Sequence, residues 1–105
     1  MSGERIKRVN VPVWGLQMTE GTLTSWLVEE GTVLNFGDPV AELETEKING
    51  VVEALVEGVL RRRIARPGDT LPPGGLLGIV ADPSVTDAEI DAFLAALADA
   101  PEATP

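Results

Sequence analysis

Cysteine, histidine and tyrosine are all missing from this 105-residue sequence. Without cysteine there is no disulfide scaffold, no thiolate nucleophile and no zinc–sulfur site. Without histidine the usual general base near neutral pH is gone, and so is the usual transition-metal ligand. Aromatic residues are only 4%, so any core is mainly aliphatic. Basic charge is scarce as well: 8 Lys and Arg stand against 17 Asp and Glu, for a net charge of −9. That balance disfavours nucleic acid and anionic membrane surfaces, both of which would repel it. No apolar run approaches the roughly 20 residues that span a bilayer. The charged stretch Met1 to Arg8 has no apolar segment behind it and does not read as a secretory signal, so a cytoplasmic location is expected. A chain this poor in reactive side chains is expected to bring chemistry only on something attached to it.

What is present is 44% apolar residues, enough for one small core. Short Val/Leu/Thr-rich segments alternate with glycine turns, the pattern of a protein of many short strands. The expected strands are Arg8–Val13, Thr22–Val28, Val40–Glu44, Ile48–Glu53, Val59–Ile64 and Leu76–Val80, with shorter pieces near Val33–Leu34 and Thr70–Leu71. Glu30-Gly31, Gly37-Asp38-Pro39, Pro67-Gly68-Asp69 and Pro72-Pro73-Gly74-Gly75 supply turns. Shifted by 37 places, Glu20–Glu44 aligns with Glu57–Ala81 without a gap, and Gly21/Gly58, Leu23/Leu60, Gly31/Gly68, Leu34/Leu71 and Gly37/Gly74 are among six identities. Two copies are too few for a solenoid. They predict two similar β halves related by a two-fold axis in a small closed sandwich, with the junction 44–49 at one end and the two termini at the other.

The C-terminal part has a different period. Thr86 and Glu89 have the spacing of a capping box, and Val85 and Ile90 that of a hydrophobic staple. Ile90, Phe93, Leu94 and Leu97 then form an apolar stripe on a helix expected over Asp87–Ala98. The stripe predicts docking on the sandwich, or else a contact for a partner. The chain therefore divides into a charged arm over 1–8, a β domain over 9–82, a helical segment over 83–98 and a linker-like tail over 99–105. Arg61, Arg62, Arg63 and Arg66 read as a sheet face balancing nearby carboxylates.

Lys7 and Lys47 are the two lysines, and Lys47 alone lies inside the β domain, at the expected tip of its central hairpin. A lysine amine is protonated at pH 7 and a poor nucleophile, so nothing here suggests a Schiff-base catalyst. An amine that a modifying enzyme must acylate needs only protrusion and a recognisable frame.

The sequence Glu44-Thr45-Glu46-Lys47 is similar to the Glu-Thr-Asp-Lys motif of lipoyl domains, and Met18-Thr19-Glu20-Gly21-Thr22 matches a second segment of that family. With Trp26, Glu30-Gly31, Gly37-Asp38 and Gly58 in the family's places, residues 9–81 resemble a lipoyl domain of the biotinyl/lipoyl carrier family, as found in acyltransferase components of 2-oxo acid dehydrogenase complexes. Glu46 stands where aspartate is usual, and Ile48 where alanine is usual. Biotin acceptors, the alternative, normally flank their lysine with methionine, and here neither neighbour is Met. Lys47-Ile48, the stretch Trp14 to Glu20 and Ser84 to Ile90 further resemble acyltransferases of the acetoin-dehydrogenase type.

The resemblance implies an all-β fold, a flattened barrel of two four-stranded antiparallel sheets with quasi-two-fold symmetry; the helix at its C-terminal end is the sequence's own addition. It implies that Lys47 bears lipoate as an amide. The lipoate would accept an acyl group from a thiamine-diphosphate-dependent component and carry it to coenzyme A. Lipoate ligase or lipoyl transferase, dihydrolipoamide dehydrogenase and the acyltransferase core are the further partners it implies. Glu44, Thr45, Glu46, Ile48, Met18, Thr19 and Glu20 would be the recognition residues around the lysine. On this reading the chain is a non-catalytic carrier. A biotin carrier, or an unmodified structural or interaction module, is the alternative.

Overall fold

The short strands read from the sequence pair into two sheets in the computed structural model, which describes residues 5–12, 19–46 and 48–99. They are β1 (Ile6–Asn10), β2 (Gly21–Trp26), β3 (Val33–Leu34), β4 (Pro39–Glu44), β5 (Asn49–Glu53), β6 (Gly58–Arg63), β7 (Thr70–Leu71) and β8 (Leu76–Ala81), followed by helix α1 (Asp87–Asp99). One sheet has the order β1-β8-β6-β3 and the other β5-β4-β2-β7. All pairings are antiparallel.

The expected strand Arg8–Val13 is displaced: β1 runs from Ile6 to Asn10. Proline has no N–H for a ladder, and before Pro12 the chain turns to the 72–75 loop. Val11 N–H donates to Gly75 C=O and Gly74 N–H to Val11 C=O, both at 2.8 Å. Lys7 and Arg8, read as part of a charged arm, lie opposite Val80 and Ile79 of β8. Val13 lies outside the described residues. β2 stops at Trp26 rather than Val28, and the other strands agree with expectation to within one residue.

The internal repeat is a repeat of register. In one sheet Thr22, Leu23, Ser25 and Trp26 face Glu44, Leu43, Glu42 and Ala41. Adding 37 to every number gives Val59, Leu60, Arg62 and Arg63 facing Ala81, Val80, Ile79 and Gly78, the observed pairing in the other sheet with the same irregularity. The turns repeat too. Gly31 and Gly68 have φ of +97° and +98°, and Gly37 and Gly74 of +94° and +86°, in the left-handed region where a β-carbon is strained. Between the sheets lie Leu23 with Leu60, Val40 with Leu77, Leu43 with Val80 and Val9 with Val52, all buried. Each fully buried leucine of this set contributes about 1.5–3 kcal/mol relative to exposure.

The same register fixes which end is which. The pair Glu44–Asn49 closes one sheet, and its counterpart in the other is the pair Ala81–Ile6. Residues 54–57 lead from Glu53, at the far end of β5 from that closure, to β6, where Val59 faces Ala81. Four residues span at most about 14 Å, so the end of the barrel carrying Ile6 and Ala81 is the end remote from the 45–48 connection. Lys7 Nζ, donating to Glu57 C=O at 3.4 Å, ties β1 to the 54–57 connection at that end.

The outward positions of the two sheets differ. On β4 they are Glu42 and Glu44, both exposed. On β8 the corresponding residues are Ile79 and Ala81, both buried, because α1 covers them. Ile90 is fully buried against Ile79, Ala81 and Val85, with Ile6, Leu76, Phe93 and Leu94 packed around it. The capping box is formed: Thr86 N–H donates to Glu89 Oε1 at 2.8 Å and Glu89 N–H to Thr86 Oγ1 at 3.1 Å. Arg61 and Arg62 of β6 reach Asp87 and Asp91 at 3.2 and 2.9 Å, so the carboxylates these two arginines balance are those of the helix. The stripe docks on the sandwich, over the sheet that does not carry the 45–48 connection.

Candidate functional site

The hairpin β4–β5 ends in the pair Glu44–Asn49, leaving residues 45–48 as its connection. Thr45 closes it. Its N–H donates to Ile48 C=O at 2.8 Å, its Oγ1 donates to the same oxygen at 2.8 Å, and Ile48 N–H donates back to Oγ1 at 3.1 Å. Threonine suits the place because one hydroxyl both donates and accepts. Glu46 is exposed, and Ile48 keeps half of its surface in solvent at 50%. Lys47, the expected attachment residue, lies outside the described residues, as does Met18.

β2 brings the second motif to the same end. Thr22 pairs with Glu44, so Thr19 and Glu20, both exposed, lead into β2 beside the closure of the hairpin. Thr22 Oγ1 and Thr70 Oγ1 are 2.8 Å apart, which ties β7 to that end. On the open face Ser25 Oγ donates to Glu42 Oε1 at 3.1 Å and Thr24 Oγ1 to Glu42 C=O at 3.1 Å. The surroundings of the connection are acidic, from Glu20, Glu44 and Glu46. The two carboxyls shifted from their ordinary range, Asp82 and Glu89, belong to the helix end of the chain. Among the described residues no three His, Cys, Asp or Glu side chains converge as a metal site, and no helix is long and apolar enough to cross a membrane.

Of the expected site residues, the structure brings Glu44, Thr45, Glu46, Ile48, Thr19 and Glu20 to one end of one sheet. Sequence reasoning named Thr45 but missed its hydrogen bonds to Ile48. The signal available was its position directly after the last paired residue of a strand. Residue types fit a covalently attached acyl group on this connection: a single amine stands in it, between exposed neighbours, on a frame tied at both mouths.

The described residues thus form a duplicated two-sheet barrel with a tied hairpin at one end. Residues 7–80 match the Biotin_lipoyl family, described as "Biotin-requiring enzyme", and the chain belongs to that family. The chain is 50% identical over 86 residues to the dihydrolipoyllysine-residue acetyltransferase component of the acetoin cleaving system of Cupriavidus necator, covering 82% of this chain and 23% of that protein. The protein of the same description from Pseudomonas putida is 48% identical over 90 residues, 86% of this chain and 24% of the relative. The chain thus spans about a quarter of the length of these curated relatives. In fold it is similar to the solution structure of the lipoyl domain of the 2-oxoglutarate dehydrogenase complex from Azotobacter vinelandii, at a TM-score of 0.54 and 24% identity, over 70% of this chain and 96% of that one.

Proposed function

We propose that this chain is a lipoyl carrier domain, with lipoate held in amide linkage on Lys47, serving the acyltransferase component of an acetoin or 2-oxo acid dehydrogenase complex in the cytoplasm. One observation carries the reading: of the two lysines in the sequence Lys7 belongs to β1, whereas Lys47 falls in a four-residue connection whose two mouths Thr45 ties together. On this reading the carrier body runs from β1 to β8, with α1 a helical brace. Lipoate, when attached, supplies a strained ring disulfide able to take up an acyl group and two electrons.

The chain's own residues bind, orient and keep clear. Thr45 holds the frame. Glu20, Glu44 and Glu46 present negative charge at the connection, which favours encounter and register with a partner surface of opposite sign. Tethering gives the attached group a high effective concentration at each partner in turn, including dihydrolipoamide dehydrogenase and the acyltransferase core. A sequence without cysteine offers no thiol to compete for the acyl group.

Incubation with lipoate, ATP and a lipoate ligase should add one lipoyl group by intact mass, and peptide mapping should place it on Lys47. Lys47→Arg should remain unmodified with an unchanged circular dichroism spectrum. A group found on Lys7, or modification by a biotin ligase instead, would refute the assignment.

A further inference from the structure

We infer that Thr45 is the positioning residue of the carrier tip: its hydroxyl, rather than the side chains of Glu46 or Ile48, sets the conformation in which the lysine is presented for acylation. The inference rests on the lipoyl-carrier reading above. Three hydrogen bonds join Thr45 to Ile48, and two of them use the hydroxyl. Remove the hydroxyl and a single backbone bond remains, with the Ile48 N–H losing the acceptor it has here. Glu46 and Ile48, the positions where this chain departs from the usual motif, turn surface to solvent.

The repeat supplies an internal comparison. The residue 37 places after Thr45 is Asp82, at the equivalent end of the equivalent ladder. Its carboxylate accepts from Ser84 N–H at 2.8 Å and its carbonyl from Arg61, and the chain there runs on toward the helix. The same ladder end is therefore closed where threonine stands and open where aspartate stands.

For acylation the lysine amine gives up its extra proton to solvent and attacks the carbonyl of lipoyl adenylate, made by the ligase from lipoate and ATP. The amide bond forms, the acyl–phosphate bond breaks and AMP leaves. The amine must reach that carbonyl in a fixed direction, so the rate scales with the fraction of chains whose tip is closed.

The test compares Thr45→Val, which keeps the shape and loses the hydroxyl, with Thr45→Ser, which keeps the hydroxyl. Initial lipoylation rates of the full chain are read by intact mass, alongside hydrogen exchange of the Ile48 amide. Removing two ordinary hydrogen bonds should cut kcat/KM for Thr45→Val about tenfold, with the Ile48 amide exchanging freely and the tryptophan fluorescence unchanged. Thr45→Ser should stay within about twofold of the parent and keep that amide protected. Equal rates for Thr45→Val and the parent would overturn the inference while leaving the carrier reading intact. So would a serine variant as slow as the valine variant. An unmodified parent chain would overturn the carrier reading, and this inference with it.

Discussion

Glu89 shows how a single carboxylate holds an element boundary. Its side chain accepts from Thr86 N–H, and that bond, opposed by partial desolvation and aided by Arg5, lowers its pKa below the ordinary carboxylate range. Asp82 is lowered too, first by the Ser84 N–H and then by the Ser84 hydroxyl. Because both folded-state values lie below the unfolded ones, the unfolded chain takes up these protons first as pH falls. The stability they supply is complete above the unfolded value of about 4–4.5 and is lost as pH drops through the folded values. The melting temperature should therefore hold steady from pH 7 to about 5.5 and fall below about 4.5, with Glu89→Gln less sensitive to acid than the parent. A calorimetric midpoint that rises between pH 5 and 3 would contradict this. Gly78 gives a second test: a β-carbon there would sit 2.7 Å from Arg62 C=O and 3.1 Å from the Trp26 ring. Gly78→Ala should cost about 1–3 kcal/mol by urea unfolding. The motif around Lys47 was legible as residue types. The bonds of Thr45 were not, because they depend on which residues form the last ladder pair.

Helix α1 would be marginal in water by itself at this length, and its docking is read from Ile90, which has no exposed surface. Ile90→Ala should destabilise the chain by about 2–5 kcal/mol in denaturant unfolding. The ion pairs from Arg61 and Arg62 lie at the surface, and each is worth about 0–1 kcal/mol, so raised salt should lower stability far less than Ile90→Ala does. Deleting residues 84–105 uncovers Ile79 and Ala81; it should lower the melting temperature yet leave lipoylation of Lys47 intact, since the helix covers the other sheet. Loss of modification on deletion would contradict that polarity. The helix was plain in the sequence because capping box, staple and stripe agree. Its partner surface was half visible, in the outward apolar residues of β8 where β4 has glutamates. The start of β1 was hidden, since Lys7 and Arg8 look like a charged arm until their ladder with β8 is seen.

At the scale of the whole molecule, the repeat was found only from Glu20 onward, and the structure explains why. The connection 11–20 between β1 and β2 has ten residues, whereas 54–57 between β5 and β6 has four. The offset between equivalent positions is therefore 37 after Gly21 but 43 before it, so a gapless shift cannot reveal that β1 matches β5. Two copies of one strand pattern built the barrel, and the eight strand regions were legible because short Val/Leu/Thr-rich segments stand between glycine turns. The acidic balance was legible as well. The division of labour between the two outer faces was not, because it depends on where the helix comes to rest.

That register has one more consequence. Since Ile6 and Ala81 are to one sheet what Asn49 and Glu44 are to the other, the barrel is close to a circular permutant of itself. Joining Asp82 to Arg5 through a short turn, and opening the chain at 45–48, leaves every strand pairing in place. The two breakpoints are interchangeable as far as the ladders are concerned. With a Glu-Thr-Glu-Lys-Ile turn built into the new junction, the same barrel would offer its lysine at the opposite pole.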